Sequence, residues 1–424
     1  MEIAMPYKFK LDNAANIYPA SMSKHYSSLY RMSVTMSEDV DKDILQAALE
    51  RVSERIPTFR CTLKGGAFWW FLRRVDGTPE LCDLKPLRRF RFKDQGGLLY
   101  RVSATGRVIS LDVFHALTDG YGAITFLLTL AGEYIRKRYG VETGYNALVL
   151  DPSENPDYSE VEDSFKAVFS GRKGQLEQNV DAYHIKGAQL AHEAVKDTRV
   201  IMPMEEVKKV CAENGCSITD FLVSVMLWSL QKEHAADPTP EKDVLKVSVP
   251  VNLRPIYHTR TLRNFSSYVN LGMDVADEYL SFSEILELVM AQKEHDLRLE
   301  NLEPKIAANV ELEEMLLVRC LPLFVKHPII DIINLHHGDR FCSQTMSNLG
   351  NVSIPDGMKP YITDVDFILG RQRGNSGACS CAGYNGKLYF HLTRKIAEDT
   401  FEQAFIEQLG VLGIPAEVSV SDLA

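Results

Sequence analysis

Phe114-His115-Ala116-Leu117-Thr118-Asp119-Gly120 places an imidazole, a carboxylate and a glycine at a spacing suited to proton transfer. The preceding VISLDVFH, rich in β-branched and apolar residues, predicts a strand ending at His115. The following YGAITFLLTLAGEYIRKRYG predicts an amphipathic helix that starts at Tyr121 or Gly122 and is ended by Gly140. A histidine at such a strand end faces the loops that rim a cleft, and imidazole is the side chain best matched to taking a proton near neutral pH. Gly120 suits a tight reversal where a Cβ would clash. The helix start offers unpaired N–H groups and a positive dipole end to a developing anion. Alone, the motif is weak, because Asp-Gly is a common turn and Asp an ordinary helix cap.

Other clusters carry less. Cys379 and Cys381 alternate on a predicted strand, with Cys342, His336, His337 and His391 near in sequence. Their spacing is not that of a zinc site, so buried structural thiols are expected and no metal. His336-His337 is expected on a surface loop. Arg371 and Arg373, within GRQRGN, suit either the phosphates of coenzyme A or a plain turn. No phosphate-cradling or dinucleotide fingerprint and no GxSxG occurs. Residues 85–93, KPLRRFRFK, hold five basic residues and read as a strand with a solvated basic face; the functional alternative is a docking surface for an acidic carrier protein or phosphates.

The elements around the motif are these. YSSLYRMSVTM (26–36) reads as a strand, DVDKDILQAALERVSER (39–55) as a helix stopped by Pro57, and FRCTLKGGAFWWFLRRV as a hairpin turning at Gly65-Gly66. Residues 98–104 and 107–114 form a second hairpin. Residues 151–180, with their Pro, Ser, Gly and acids, read as a linker. Beyond it come a strand near 195–202, the helix MEEVKKVCAENG, and a buried helix TDFLVSVMLWSLQKEH with Thr219 as its cap. DVLKVSVPVNL is a strand, 281–300 and 310–335 are helical, strands follow around 341–347, 363–369, 377–384 and 386–394, and a helix covers 398–410. The order is that of two α/β layered lobes. The expected division is an N-terminal lobe over 1–150, a linker over 151–180 and a C-terminal lobe over 181–424.

The 424 residues exceed one ordinary core. With 45% apolar and 25% charged residues, dominant disorder is excluded. A net charge of −10 argues against a nucleic-acid binder, although residues 55–93 carry ten Lys or Arg against three Asp or Glu. The start of the chain lacks a basic region followed by an apolar one, and no stretch reaches the roughly 18–20 apolar residues of a membrane span. A cytoplasmic location is therefore expected, with peripheral membrane contact left open by LLVRCLPLFVKHPIIDII (316–333).

HALTDGYGAITFLLTLAGEY resembles the HHxxxDG segment of the condensation-domain and chloramphenicol acetyltransferase superfamily. RVSERIPTFRCTL (51–63) is similar to that superfamily's early RHxxLR segment. SVPVNLRP (248–255) and TMSNLGNV (345–352) resemble the PVNLR and SNLG strands of its alcohol acetyltransferase and wax-ester-synthase-like branch, and CSITDFLVSVMLWSL the helix that opens the second lobe. These segments keep the superfamily's order over most of the chain. One departure is Phe114 at the first His of the HH pair, which argues against a standard peptide-synthetase condensation domain.

The resemblance implies an α/β fold of two similar sandwich lobes with the active site in a tunnel between them. It implies an acyltransferase moving an acyl group from a thioester to an alcohol or amine. His115 would be the general base. Asp119 would complete the catalytic motif by pairing with an arginine, with Arg55, Arg60 and Arg254 as candidates. Gly120 would make the turn. Asn252, Arg254, Ser347 and Asn348 are candidates for substrate binding, Ser347 as a donor to the oxyanion. No bound cofactor is expected; acyl-CoA, or the phosphopantetheine of an acyl carrier protein, would be co-substrate. The alternatives are a condensation-like enzyme using a carrier-protein donor and a catalytically silent acyl- or lipid-binding protein of the same fold.

Overall fold

The motif strand belongs to a four-stranded sheet whose members alternate between two buried faces. A computed structural model describes residues 6–423 except 24, 25, 27, 89, 90, 176–178, 192, 193 and 338, with backbone only at 317, 332–337 and 339. Its strands in chain order are β1 (Lys8–Lys10), β2 (Leu29–Met36), β3 (Cys61–Gly65), β4 (Trp70–Arg74), β5 (Tyr100–Thr105), β6 (Val108–Phe114), β7 (Lys196–Pro203), β8 (Val244–Asn252), β9 (Ser266–Asp274), β10 (Gln344–Asn351), β11 (Ile362–Leu369), β12 (Gly377–Tyr384), β13 (Lys387–Arg394) and β14 (Glu417–Asp422). The helices are α1 (Ile17–Ser21), α2 (Lys42–Arg55), α3 (Gly120–Tyr139), α4 (Ser164–Phe169), α5 (Met204–Glu213), α6 (Ile218–Ala236), α7 (Arg254–Tyr257), α8 (Phe282–Leu297), α9 (Leu299–Glu314), α10 (Leu316–Cys320), α11 (Leu323–His337) and α12 (Thr400–Val411).

Two main sheets define two lobes. The first runs β11-β2-β6-β5 and the second β14-β7-β13-β12-β10-β8-β9; β1-β4-β3 make a small third sheet. Helices α2 and α3 cover the first sheet, and their apolar stripes (Leu45, Leu49 and Val52; Phe126, Leu127 and Leu130) enter one core with Met32, Val34 and Leu111. Helix α6 is buried because nearly every turn is apolar; Phe221, Leu222, Val225 and Met226 pack there with Val247, Leu271, Phe390 and Phe405.

The lobes are not separable at 151–180. Strand β11, at 362–369, pairs antiparallel with β2, so the C-terminal part of the chain completes the N-terminal sheet. The segment expected as a linker is partly folded: Phe165 and Phe169 of α4 share a third apolar cluster with Leu302 and Ile306 of α9. Glu160 is buried against Arg55. The basic stretch 85–93 forms no strand over its described residues. The carbonyls of Lys85 and Pro86 accept from the guanidiniums of Arg31 and Arg101, which both grip buried Asp112, so they are not available to a neighbouring strand. Arg89 lies outside the described residues.

Smaller differences have similar causes. Ser217, not Thr219, caps α6, through a reciprocal box with Asp220. His336 and His337 close α11 rather than form a loop; their side chains lie outside the described residues. Arg371 is held by Gln189 and the Ala194 carbonyl, and Arg373 by Asp331, which favours the turn reading of GRQRGN over phosphate binding. Cys379 and Cys381 both face the second core, where burial pushes their thiols up and keeps them neutral. None of the eight cysteines is in a disulfide.

Candidate active site

His115 follows the last residue of β6, and its N–H donates to the Ser28 carbonyl at 3.0 Å, which fixes the strand end. Strand alternation sends Phe114 the other way, fully buried against Phe92. An apolar side chain therefore suits the position where the resembled motif has its first histidine. The imidazole is half-buried at the junction of the lobes. Its Nδ1 lies 3.0 Å from Oδ1 of Asn264, in the loop that leads into β9. The Asn264 amide nitrogen donates to buried Asp12 at 3.3 Å, which turns the amide oxygen toward His115. That oxygen can only accept, so Nδ1 carries the ring proton and Nε2 presents a lone pair.

The rest of the pocket keeps that nitrogen basic but neutral. Tyr18 of α1 stacks on the imidazole at 4.3 Å between centroids, with its hydroxyl 3.5 Å from Nε2, and Tyr30 meets the ring edge-on at 5.2 Å. Burial lowers the His115 pKa below the ordinary imidazole value, against smaller opposing effects of its own backbone, Asp119 and Asn264. Burial also raises Asp12 to about 6, although Arg263 lies 3.5 Å away.

Asp119 is occupied elsewhere. Of the three arginine candidates, the structure pairs it with Arg254, in a two-pronged contact at 2.9 and 3.0 Å. Its carboxylate also accepts the N–H groups of Gly122 at 3.2 Å and Phe265 at 2.9 Å. Asp119 thus caps α3 and ties it to the second lobe. It leaves no free oxygen toward His115, and it uses the helix-start N–H that was expected to serve an anion. Arg254 is buried, donates to the carbonyls of Thr261 and Arg263, and lies 4.5 Å over the Tyr121 ring. Asn252 is exposed and accepts from the Arg254 backbone and side chain, both at 3.1 Å, so it braces Arg254 rather than lining a cleft.

The glycine argument shifts by two residues. A Cβ on Gly120 would press only on the flexible end of Leu349, at 3.0 Å, with Met32 and Phe367 at ordinary contact distances. A Cβ on Gly122 would lie 2.0 Å from the Thr118 hydroxyl and 2.1 Å from the Leu262 carbonyl. The first turn of α3 abuts the second lobe so closely that Gly122 is the position with no room. The Gly120–Leu349 contact also brings the TMSNLGNV strand to the motif. Ser347, two residues earlier on β10, is half-buried, and its backbone pairs with Ser380. Asn348 turns away, donating to the Thr219 hydroxyl at 3.1 Å and accepting from Gly350.

The sequence reading missed Tyr18, Tyr30, Asn264 and Asp12. Each sits outside any motif, and only the tertiary fold brings it to His115. No group of His, Cys, Asp and Glu able to hold a metal occurs among the described residues.

The architecture is that of the CoA-dependent acyltransferase-like, two-lobed fold shared by condensation domains. Polyketide synthase associated protein 5 from Mycobacterium tuberculosis is 15% identical, with 95% of this chain and 97% of that one aligned at a TM-score of 0.63. TRI101 of F. sporotrichioides, solved with coenzyme A and T-2, is 12% identical over 97% of this chain and 100% of that one, at 0.62. The first condensation domain of the CDA synthetase is 14% identical over 96% of each chain, at 0.59. No family model matches the chain, and no curated protein matches its sequence.

Proposed function

We propose that the protein transfers an acyl group from acyl-CoA to an alcohol or amine, with His115 Nε2 as the general base. The observation that carries this reading is the Asp12–Asn264–His115 relay. It fixes the tautomer that frees Nε2, while burial keeps the ring neutral at physiological pH. The acceptor O–H or N–H gives its proton to Nε2 as its oxygen or nitrogen attacks the thioester carbonyl. The tetrahedral adduct then expels the thiolate, which takes up a proton to leave as free thiol. No enzyme-bound intermediate is needed, which agrees with the lack of a nucleophilic serine or cysteine motif. Burial pushes the thiols of Cys61, Cys211, Cys379 and Cys381 up and holds them neutral.

Coenzyme A as the donor carrier is supported by the TRI101 structure solved with coenzyme A on this fold. A carrier-protein donor, as in a condensation-like enzyme, is the second reading; exposed Arg88, Arg91 and Lys93 would dock it without forming a strand. Ser347 is proposed as an oxyanion donor because its strand reaches Gly120 through Leu349. Eight cysteines outside any disulfide suit a reducing, cytoplasmic compartment.

Free-thiol release tests the proposal. Acetyl- to palmitoyl-CoA would be offered with a panel of alcohols and amines, comparing wild type with His115→Ala. Thiol release that falls roughly 10²–10⁴-fold in the variant is expected. Equal release by both proteins would sink the assignment of His115. Release only from an acylated carrier protein would promote the second reading.

A further inference from the structure

Between the β3–β4 turn and the start of α11 lies an open groove of about 670 Å³. Phe68, Trp70, Pro322, Leu323, Phe324 and His327 line it. This is within the usual volume of small-molecule sites, roughly 300–1,000 Å³, and its lining is apolar and aromatic. The walls are held in place before anything binds. The Leu323 N–H donates to the Ala67 carbonyl at 2.8 Å. Lys326, almost fully buried, donates to the Phe68 carbonyl at 2.8 Å and sits 3.2 Å over the Trp69 ring. Apolar surface is nonetheless left to water, with Phe324 80% and Phe68 46% exposed. Contiguous apolar surface of this kind marks a site of interaction.

The lining decides what fits. A peptide laid in the groove would bury its own N–H and C=O groups and need partners for them. The turn offers few: the carbonyls of Ala67, Phe68 and Trp69 already accept from Leu323, Lys326 and Gly66. Among the buried side-chain polar atoms of the described wall residues, the indole N–H of Trp70 lacks a partner. A hydrocarbon chain asks for no partners and gains from the burial. A short chain of contacts links the groove wall to the reaction centre. A ring nitrogen of His327 lies 3.2 Å from the Pro19 carbonyl, and the preceding residue, Tyr18, stacks on His115.

We propose that this groove seats a long alkyl chain, and that the chain belongs to a substrate of the acyl transfer proposed above, on which this second clause rests. Each methylene buried in such a groove adds roughly fourfold in affinity. The probe is the fluorescent fatty acid cis-parinarate, titrated into the full-length protein and competed with palmitate and with acetate. Saturable binding at one site, displaced by palmitate but not by acetate, is expected. Phe324→Asp, at a position too exposed to disturb the core, and Ala67→Trp, which fills the groove from its exposed turn, should each weaken binding at least tenfold, while His115→Ala leaves it unchanged. Absence of saturable binding, or wild-type affinity in both groove variants, overturns the seat. In the transfer assay, kcat/KM should rise with substrate chain length in wild type and flatten in Phe324→Asp. A flat wild-type profile with transfer intact overturns the link to the substrate alone. Saturable binding with no transfer from any thioester sinks the function reading and leaves the groove a fatty-acid site.

Discussion

Arg254 holds both carboxylate oxygens of Asp119 from the opposite lobe, at 2.9 and 3.0 Å, with both side chains buried. Removing one member leaves an uncompensated charge in the interior, which costs roughly 3–5 kcal/mol, whereas removing both costs far less. Asp119→Ala should therefore lower stability in denaturant titrations by that amount and abolish activity through disorder of the motif turn. Asp119→Ala combined with Arg254→Leu should be more stable than Asp119→Ala alone. If the double variant is the less stable, the charge left on Arg254 is not what destabilises Asp119→Ala.

A second contrast concerns the two motif glycines. Gly122→Ala forces a methyl to about 2 Å from the Leu262 backbone, which cannot move without parting the lobes. Gly120→Ala presses only on a Leu349 methyl, which can rotate away. Gly122→Ala should cost at least 2–3 kcal/mol, in the range of overpacked cores, and Gly120→Ala under about 1 kcal/mol. Melting temperatures of the two variants, measured side by side, check the ranking.

This contrast shows what was legible. The motif, the strand before it and the helix after it follow from local pattern, because β6 and α3 bury regular apolar faces. Strands β9 and β14 were passed over for different reasons. The residues of β14 are all exposed on the edge of the second sheet, so no burial pattern marks them. Strand β9 does carry Val269, Leu271 and Met273 in alternation, but Asn270 and Gly272 between them are poor strand formers. The hand-off of β11 to the first sheet, and the Asp12–Asn264 relay, join residues far apart in sequence. No spacing rule reports such pairings. Asp119 was legible as a motif, but its partner was settled only by the fold.

The relay predicts a pH profile. Burial lowers the His115 pKa from its ordinary 6.5, so kcat/KM should rise with pH through an inflection below that value and then level. Asp12, raised to about 6, loses its proton over a nearby range and then holds the Asn264 amide most firmly. Asp12→Asn removes the charge that orients that amide. It should lower kcat roughly tenfold or more while His115→Ala removes the pH-dependent phase altogether. An unchanged profile in Asp12→Asn would show that the relay does not set the tautomer.

His391 gives the last prediction, through stability. It is buried between Asp197, 2.9 Å from Nδ1, and Asp366, 2.9 Å from Nε2, where β13 of the second sheet meets β11 of the first. Arg199 pairs with the same Asp366 at 2.6 Å and stands 3.6 Å from Asp364. Burial works against the charged ring, but the two carboxylates prevail and raise the His391 pKa from 6.5 to about 9. A base whose folded pKa lies above its unfolded value stabilises the fold fully below the unfolded pKa. Here that contribution is complete below about pH 6.5 and is lost as pH rises through about 9. Unfolding free energy in urea should fall by roughly 1–3 kcal/mol across that window. Asp366, whose pKa is lowered by His391 and Arg199 against burial, works at the other end: its contribution is present above its ordinary value of 3.8 and disappears on acidification. The same lobe contact should therefore loosen at both extremes. His391→Gln retains hydrogen bonding without the charge and should flatten the alkaline limb and shrink the acid limb to the part that Arg199 supports. A wild-type stability curve level from pH 6.5 to 9 would show that the ring is neutral in the folded protein and that this contact is held by the arginine alone.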